Sequence, residues 1–168
     1  MIDSFKRLIG NQYEAGFSAL NACVERCPES AWNATVVNLK FCQVVFHALF
    51  YTDYYLGQSE QLFRHQPFHQ EHARIFRDYE ELEDRSPVLL YGRAWIKTYL
   101  EHCRKKAREV VLSETVESLS APTGFPRMMF SRAELHVVNI RHIQHHASQL
   151  SLRLKLGYQQ DIPWFGSG

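Results

Sequence analysis

Within the segment NIRHIQHHASQLSLRL, residues 139–154, three histidines fall within five positions: His142, His145 and His146. The surrounding apolar residues recur at helical steps. On a helix, side chains four apart lie one turn apart on the same face, so His142 and His146 converge on one point. His142 and His145, three apart, form the alternative pair. Two neutral imidazoles aimed at one place suit a divalent ion, and zinc and nickel both accept such donors. Hydrogen-bonded core or surface histidines are the ordinary alternative, and an HxxxH spacing alone does not decide. Nor does helical phase, because Leu135, Val138 and Leu152 favour one face while Asn139, Leu150 and Arg153 favour another.

A third donor has to come from elsewhere. In VVFHALFYTDYYL, His47 stands among Val44, Val45, Phe46, Leu49 and Phe50, a setting that predicts burial. A polar group buried without a partner costs about 1–3 kcal/mol, so either a hydrogen bond in the core or a shared metal must satisfy this ring. Metal-bound imidazoles usually hydrogen-bond through their other nitrogen. Gln149, one turn beyond His146, and Asn139, one turn before His142, are placed for that role, and each also reads as an ordinary interhelical hydrogen bond. His65, His69 and His72 sit in polar sequence and are expected to be solvated; His102 and His136 have no partner that spacing identifies.

Elements that would position these residues follow from the apolar periodicity, which is helical nearly throughout and lacks convincing alternating strands. A first helix is predicted over residues 3–26, with Phe5, Leu8, Ile9, Tyr13, Phe17, Leu20 and Val24 on its inner face, ended by Pro28. A second covers 36–56, with Gly57 as its C-terminal cap. Residues 58–86 form a long polar connection with a possible short helix over 71–82; connections of this length are often functional. A third helix covers 90–112, with Ala94, Ile96, Tyr99, Leu100, Cys103 and Val110 as candidate buried positions, before SAPTGFP breaks the pattern. The fourth covers 131–156 behind a Ser131/Glu134 capping box and stops at Gly157. In the tail IPWFGSG, Trp164 and Phe165 are expected to pack on the helices or on a second copy. Four long helices in 168 residues imply a single-domain, all-α four-helix bundle with a long connection between helices 2 and 3.

Composition narrows the partners. Nineteen basic and 18 acidic side chains leave a formal charge of +1, which provides no electrostatic footprint for nucleic acid or an anionic membrane. No apolar run approaches the ~20 residues that cross a bilayer. Met1 to Lys6 lead straight into amphipathic sequence, so a cytoplasmic protein with reduced thiols is expected. Cys23 and Cys27, four apart, do not have the CxxC spacing of a zinc knuckle, and burial is the expected state of Cys23, Cys27, Cys42 and Cys103.

FHALFYTDYYL together with RHIQHHASQLSLRLKLGY resembles the DinB/YfiT-like superfamily of bacterial metal-dependent enzymes. The fourth-helix pattern of that family is a histidine, a histidine pair, a small residue and glutamine, then a leucine-rich end and glycine. Here it falls on His142, His145-His146, Ser148-Gln149, Leu150 to Leu156, and Gly157. Carried over, the resemblance implies that His47, His142 and His146 are the metal ligands. It further implies a zinc or nickel ion, a homodimer, and use of a low-molecular-weight thiol in transfer chemistry on a small-molecule substrate. Three neutral ligands leave a coordination position open, as in catalytic sites. Metal-assisted hydrolysis is the second chemistry such a site allows, and a non-enzymatic, metal-stabilised small-ligand binding or stress-response protein is the competing class. Glu14, Glu25, Asp53 and Tyr51 are all conceivable as general base, and spacing alone places none of them. Tyr51, one turn after His47, is the best of them for facing the site, with a packed core tyrosine as its ordinary reading.

Overall fold

The structure, a computed structural model, describes residues 2–80, 87–125 and 128–167. In chain order these form α1 (Ile2–Arg26), α2 (Glu29–Trp32), β1 (Thr35–Val36), β2 (Leu39–Lys40), α3 (Phe41–Leu56), α4 (Glu60–His65), α5 (Pro67–Glu71), α6 (Ala73–Glu80), α7 (Arg93–Ser113), α8 (Val116–Ser120) and α9 (Arg132–Tyr158). Among the described residues the fold is all-α apart from one small antiparallel hairpin and an isolated bridge between Pro122 and Ser131. Among the described residues no helix is long and apolar enough to cross a membrane.

The long helices α1, α3, α7 and α9 carry the core. α9 packs along α1 and α3, and α7 packs along the same two from the other side. In α1, Ile9, Tyr13, Phe17, Leu20 and Val24 are buried as the spacing predicts, but Leu8 is exposed. Neighbours on a helix point about 100° apart, so Ile9 takes the inward position and Leu8 cannot. Ala94 is exposed at the start of α7 for the same reason, beside the inward Ile96. Gly16 lets α1 approach α9 closely, since a Cβ there would stand 3.3 Å from Ile143 Cγ2.

α3 is the most enclosed element. From Phe41 to Phe50 every residue is buried except His47, the pattern of a helix covered on all sides. It starts at Phe41 rather than at Val36, because Thr35 and Val36 pair with Lys40 and Leu39 in the hairpin. Two residues per strand are too few to register as alternation in sequence. The hairpin turns at Val37, whose φ of 58° is left-handed and uncommon for a β-branched residue.

Two glycines end helices differently from expectation. Gly57 does cap α3, with extended rather than left-handed backbone. Gly157 lies inside the last turn of α9, which runs on to Tyr158 and ends at Gln159, left-handed at φ 55°. The described part of the long connection, residues 58–80, is more regular than its polarity suggests: α4 is capped by Ser59, α5 opens on Pro67, and α6 buries Phe76 and Tyr79. The helix predicted over 71–82 corresponds to α6, and its final residue Leu82 lies outside the described residues. α9 begins as predicted: the Ser131 hydroxyl accepts from the Glu134 N–H while the Glu134 carboxylate accepts from Ser131. In the tail, Ile162 and Phe165 pack on the core, whereas Trp164 is 87% exposed.

Candidate metal centre

α9 presents its histidines through a buried stripe made of Leu135, His136, Asn139, Ile143, Ala147, Leu150 and Leu154. That stripe resolves the phase left open by sequence. His142 and His146 each precede a stripe residue and flank it on the side of α3, while His145 is exposed. Two buried ties fix α9 against α3. Arg132, at the start of α9, donates to the carbonyls of Tyr55 (3.2 Å), Leu56 (3.2 Å) and Gly57 (2.6 Å), satisfying the end of α3. One turn before His142, the Asn139 amide donates to the Thr52 carbonyl at 3.0 Å. Asn139 is thus an interhelical tie.

Against this frame, His47 is the one half-buried residue in the first ten of α3, and it faces α9. His142 Nε2 lies 3.4 Å from His47 Nε2 and 3.1 Å from His146 Nε2. One donor atom from each ring falls within 4.8 Å of the others. Ligands about 2.0–2.1 Å from a tetrahedral ion stand roughly 3.3 Å apart, so the donor set fits a divalent ion. The structure therefore brings together the residues expected as ligands, and among the described residues they form the cluster able to hold a metal.

Distal partners orient two of the rings. His146 Nδ1 donates to the Gln149 carbonyl oxygen at 2.9 Å, which leaves its Nε2 as a bare lone pair directed at the centre. The Gln149 amide in turn donates to His145 Nε2 at 3.0 Å, so His145 supports the glutamine and stays outside the centre. His47 Nδ1 meets the Tyr79 hydroxyl of α6. His142 Nδ1 is buried without a partner among the described residues. Burial foremost, then the neighbouring rings, push His47 down to about 4 and His142 down to about 3; burial lowers His146 as well, although its Gln149 contact works the other way. All three are neutral at physiological pH, the form that binds metals.

A cavity of about 680 Å³ opens onto this cluster, with His47 and His146 in its wall. The hairpin supplies one side through Val36 and Leu39, and α9 supplies the other through Gln149, Leu152 and Arg153. Of the conceivable bases, Tyr51 alone is at the centre, its ring 4.9 Å from His47 and 5.7 Å from His142. Glu14 is engaged by Arg104 and Arg108, and Glu25 by Lys97. Asp53 is fully buried on the α7 side, where it accepts from Tyr99 and Gln66 at 3.0 Å each and pairs with Lys106. Burial works to raise that carboxyl, but His102 and Lys106 outweigh it and hold it below its ordinary value.

Several residues escaped the sequence reading. His69, expected in solvent, is buried and stacked on Phe76 at 4.1 Å. His102 stacks on Phe68 at 3.9 Å. His136 is buried with Nε2 3.0 Å from Glu114, which also accepts from Arg132. Tyr79 falls in the short helix expected over 71–82, where the helical spacing of Ile75, Phe76 and Tyr79 marks one face, but nothing local ties that face to His47. As expected, Cys23, Cys27, Cys42 and Cys103 are free and buried. Comparison with protein-family models, with curated proteins and with solved structures gave no match.

Proposed function

We propose that this chain is a metal-dependent enzyme of the DinB/YfiT-like, four-helix-bundle type, in which His47, His142 and His146 hold zinc or nickel. The observation carrying this reading is the convergence of three Nε2 atoms where two of the rings, His47 and His146, stand in the wall of a roomy cavity. Structural zinc sites close with four protein ligands; here the fourth side is open space. A divalent ion held there would supply a Lewis acid that lowers the pKa of a thiol or water entering from the cavity.

The protein's own residues do the rest. Gln149 holds the His146 ring in the tautomer whose Nε2 faces the centre, and Tyr79 anchors the opposite face of His47. Val36, Val44 and Leu152 line the approach with apolar surface, which limits water around a guest. Transfer from a low-molecular-weight thiol is the preferred chemistry, because the approach is apolar and among the described residues no free carboxylate lines the cavity to act on water. Hydrolysis stands second.

Cobalt substitution tests the reading. Cobalt-loaded protein should change its visible spectrum when a thiol or a hydroxamate is added, and the metal-free protein should stay folded. A spectrum indifferent to both, with a fold that collapses on metal removal, would instead mark a structural ion and a binding protein.

A further inference from the structure

Resting on that reading of the centre, the geometry points to an organic carboxylate as the substrate class, with Arg153 as the residue that binds its anionic end. Arg153 lies seven residues after His146 on α9, two turns along the same face and about 10 Å down the axis. Both residues line the same cavity.

The guanidinium is held in place without being neutralised. Its carbon sits 5.7 Å from the Tyr158 ring centroid, and its Nη1 packs over Gly157, where an added Cβ would stand 3.2 Å away. Its Nε is buried and donates to nothing among the described residues, and no carboxylate pairs with it there. Most other arginines and lysines of the long helices do have such partners: Arg104 and Arg108 share Glu14, Lys97 has Glu25, Lys106 has Asp53 and Lys155 has Asp161. An arginine whose fork is pre-placed and unspent suits bidentate recognition of a planar anion.

The charge of the cavity argues the same way. No acidic residue lines it among the described residues, and Arg153 is its one permanently charged side chain. Three neutral imidazoles would leave a bound ion's two positive charges uncompensated as well. Val44 and Leu152 line the same cavity with apolar surface, and Gln149 bonds the His146 ring. The matching guest has a metal-seeking group at one end, an apolar middle and a carboxylate at the other. Arg153 is thus a specificity-determining residue, acting on the far end of the substrate.

Cobalt-loaded protein titrated with mercaptohexanoate and with mercaptohexanol provides the test, read from the visible spectrum. The two probes share the thiol and the chain and differ in the anionic end. Mercaptohexanoate should half-saturate at a concentration roughly tenfold to a hundredfold lower, the range of a charge-assisted pair. Arg153→Gln should abolish that preference while leaving cobalt uptake and mercaptohexanol binding unchanged; Arg153→Lys, which keeps the charge but not the fork, should retain part of it. Equal binding of the two probes, a preference that survives Arg153→Gln, or no response to either overturns the proposal, while intact cobalt uptake leaves the metal centre standing. Failure to take up cobalt removes the centre and this inference together.

Discussion

An imidazole is a dependable metal ligand when one nitrogen is bare and the other is held. His146 meets both conditions through Gln149, and His47 has Tyr79 behind it. Losing such a partner typically weakens metal binding 10–100-fold without abolishing it. Gln149→Ala and Tyr79→Phe are therefore each expected to lower zinc affinity by roughly that factor, as measured by competition with a chelating indicator. Unchanged affinity in both would show that the rings are oriented by packing alone. At this scale the sequence was informative where chemistry is local. Histidines four apart on one helix and an isolated histidine amid apolar residues marked the candidates, and the choice among them came from the family resemblance rather than from spacing. It was silent where partners are distant: His136 contacts Tyr13, 123 positions away, and no periodicity announces that pairing. His69 misled for a related reason, since polar neighbours in the chain concealed the Phe63 and Phe76 rings that bury it.

At the scale of elements, the centre depends on how α9 is set against α3. Arg132 closes the end of α3 and is itself paired with Glu114, which accepts from its Nε at 2.9 Å. Glu114 also receives His136 and the Ser118 hydroxyl. Removing one partner of a buried pair strands the other, at a cost of about 3–5 kcal/mol. Arg132→Ala should lose stability in that range in urea denaturation, and should weaken metal binding because it frees α9 from α3. Ser131→Ala, which removes only the cap of α9, should cost about 1 kcal/mol.

Glu114 also sets a pH dependence. Burial works to raise its pKa, but His136, Ser118 and Arg132 outweigh it and bring the carboxyl down from 4.5 to about 2. Between those values the unfolded chain binds the proton and the folded one does not, so the stabilisation is complete above about 4.5 and is lost as pH falls toward 2. Glu114→Gln should be less stable at neutral pH and show a shallower decline across that window; parallel curves for variant and parent would refute the assignment. The capping box was legible from Ser131 and Glu134 alone, being a local hydrogen-bond pattern. The hairpin and the start of α3 were not, because strands of two residues carry too short a pattern to compete with the helical one around them.

Across the whole molecule, four long helices pack pairwise around a core that includes Phe17, Phe46, Leu49, Ile96 and Ile143, with the cavity to one side of it. Most of that core was readable from apolar spacing, as was α6 within the connection; α4 was not, because Phe63 is held by packing on Phe50 of α3 rather than by a periodicity of its own. Since apolar packing joins all four long helices, the metal-free protein should fold. Ile143→Ala, removing the side chain packed on Gly16, should cost about 2–5 kcal/mol. Zinc at a hundred times its dissociation constant should add about 2.7 kcal/mol, read as a concentration-dependent rise in melting temperature. Chelation that unfolds the chain outright would mean that the ion, and not the core, holds the helices together.

Metal content after equilibrium dialysis tests the central claim most directly, with protein purified without a metal-affinity column and offered zinc or nickel. The account predicts one ion per chain, and none in His47→Ala, His142→Ala or His146→Ala variants that remain folded by circular dichroism. A parent protein that takes up no metal, or a folded His47→Ala variant that still holds a full equivalent, would contradict it.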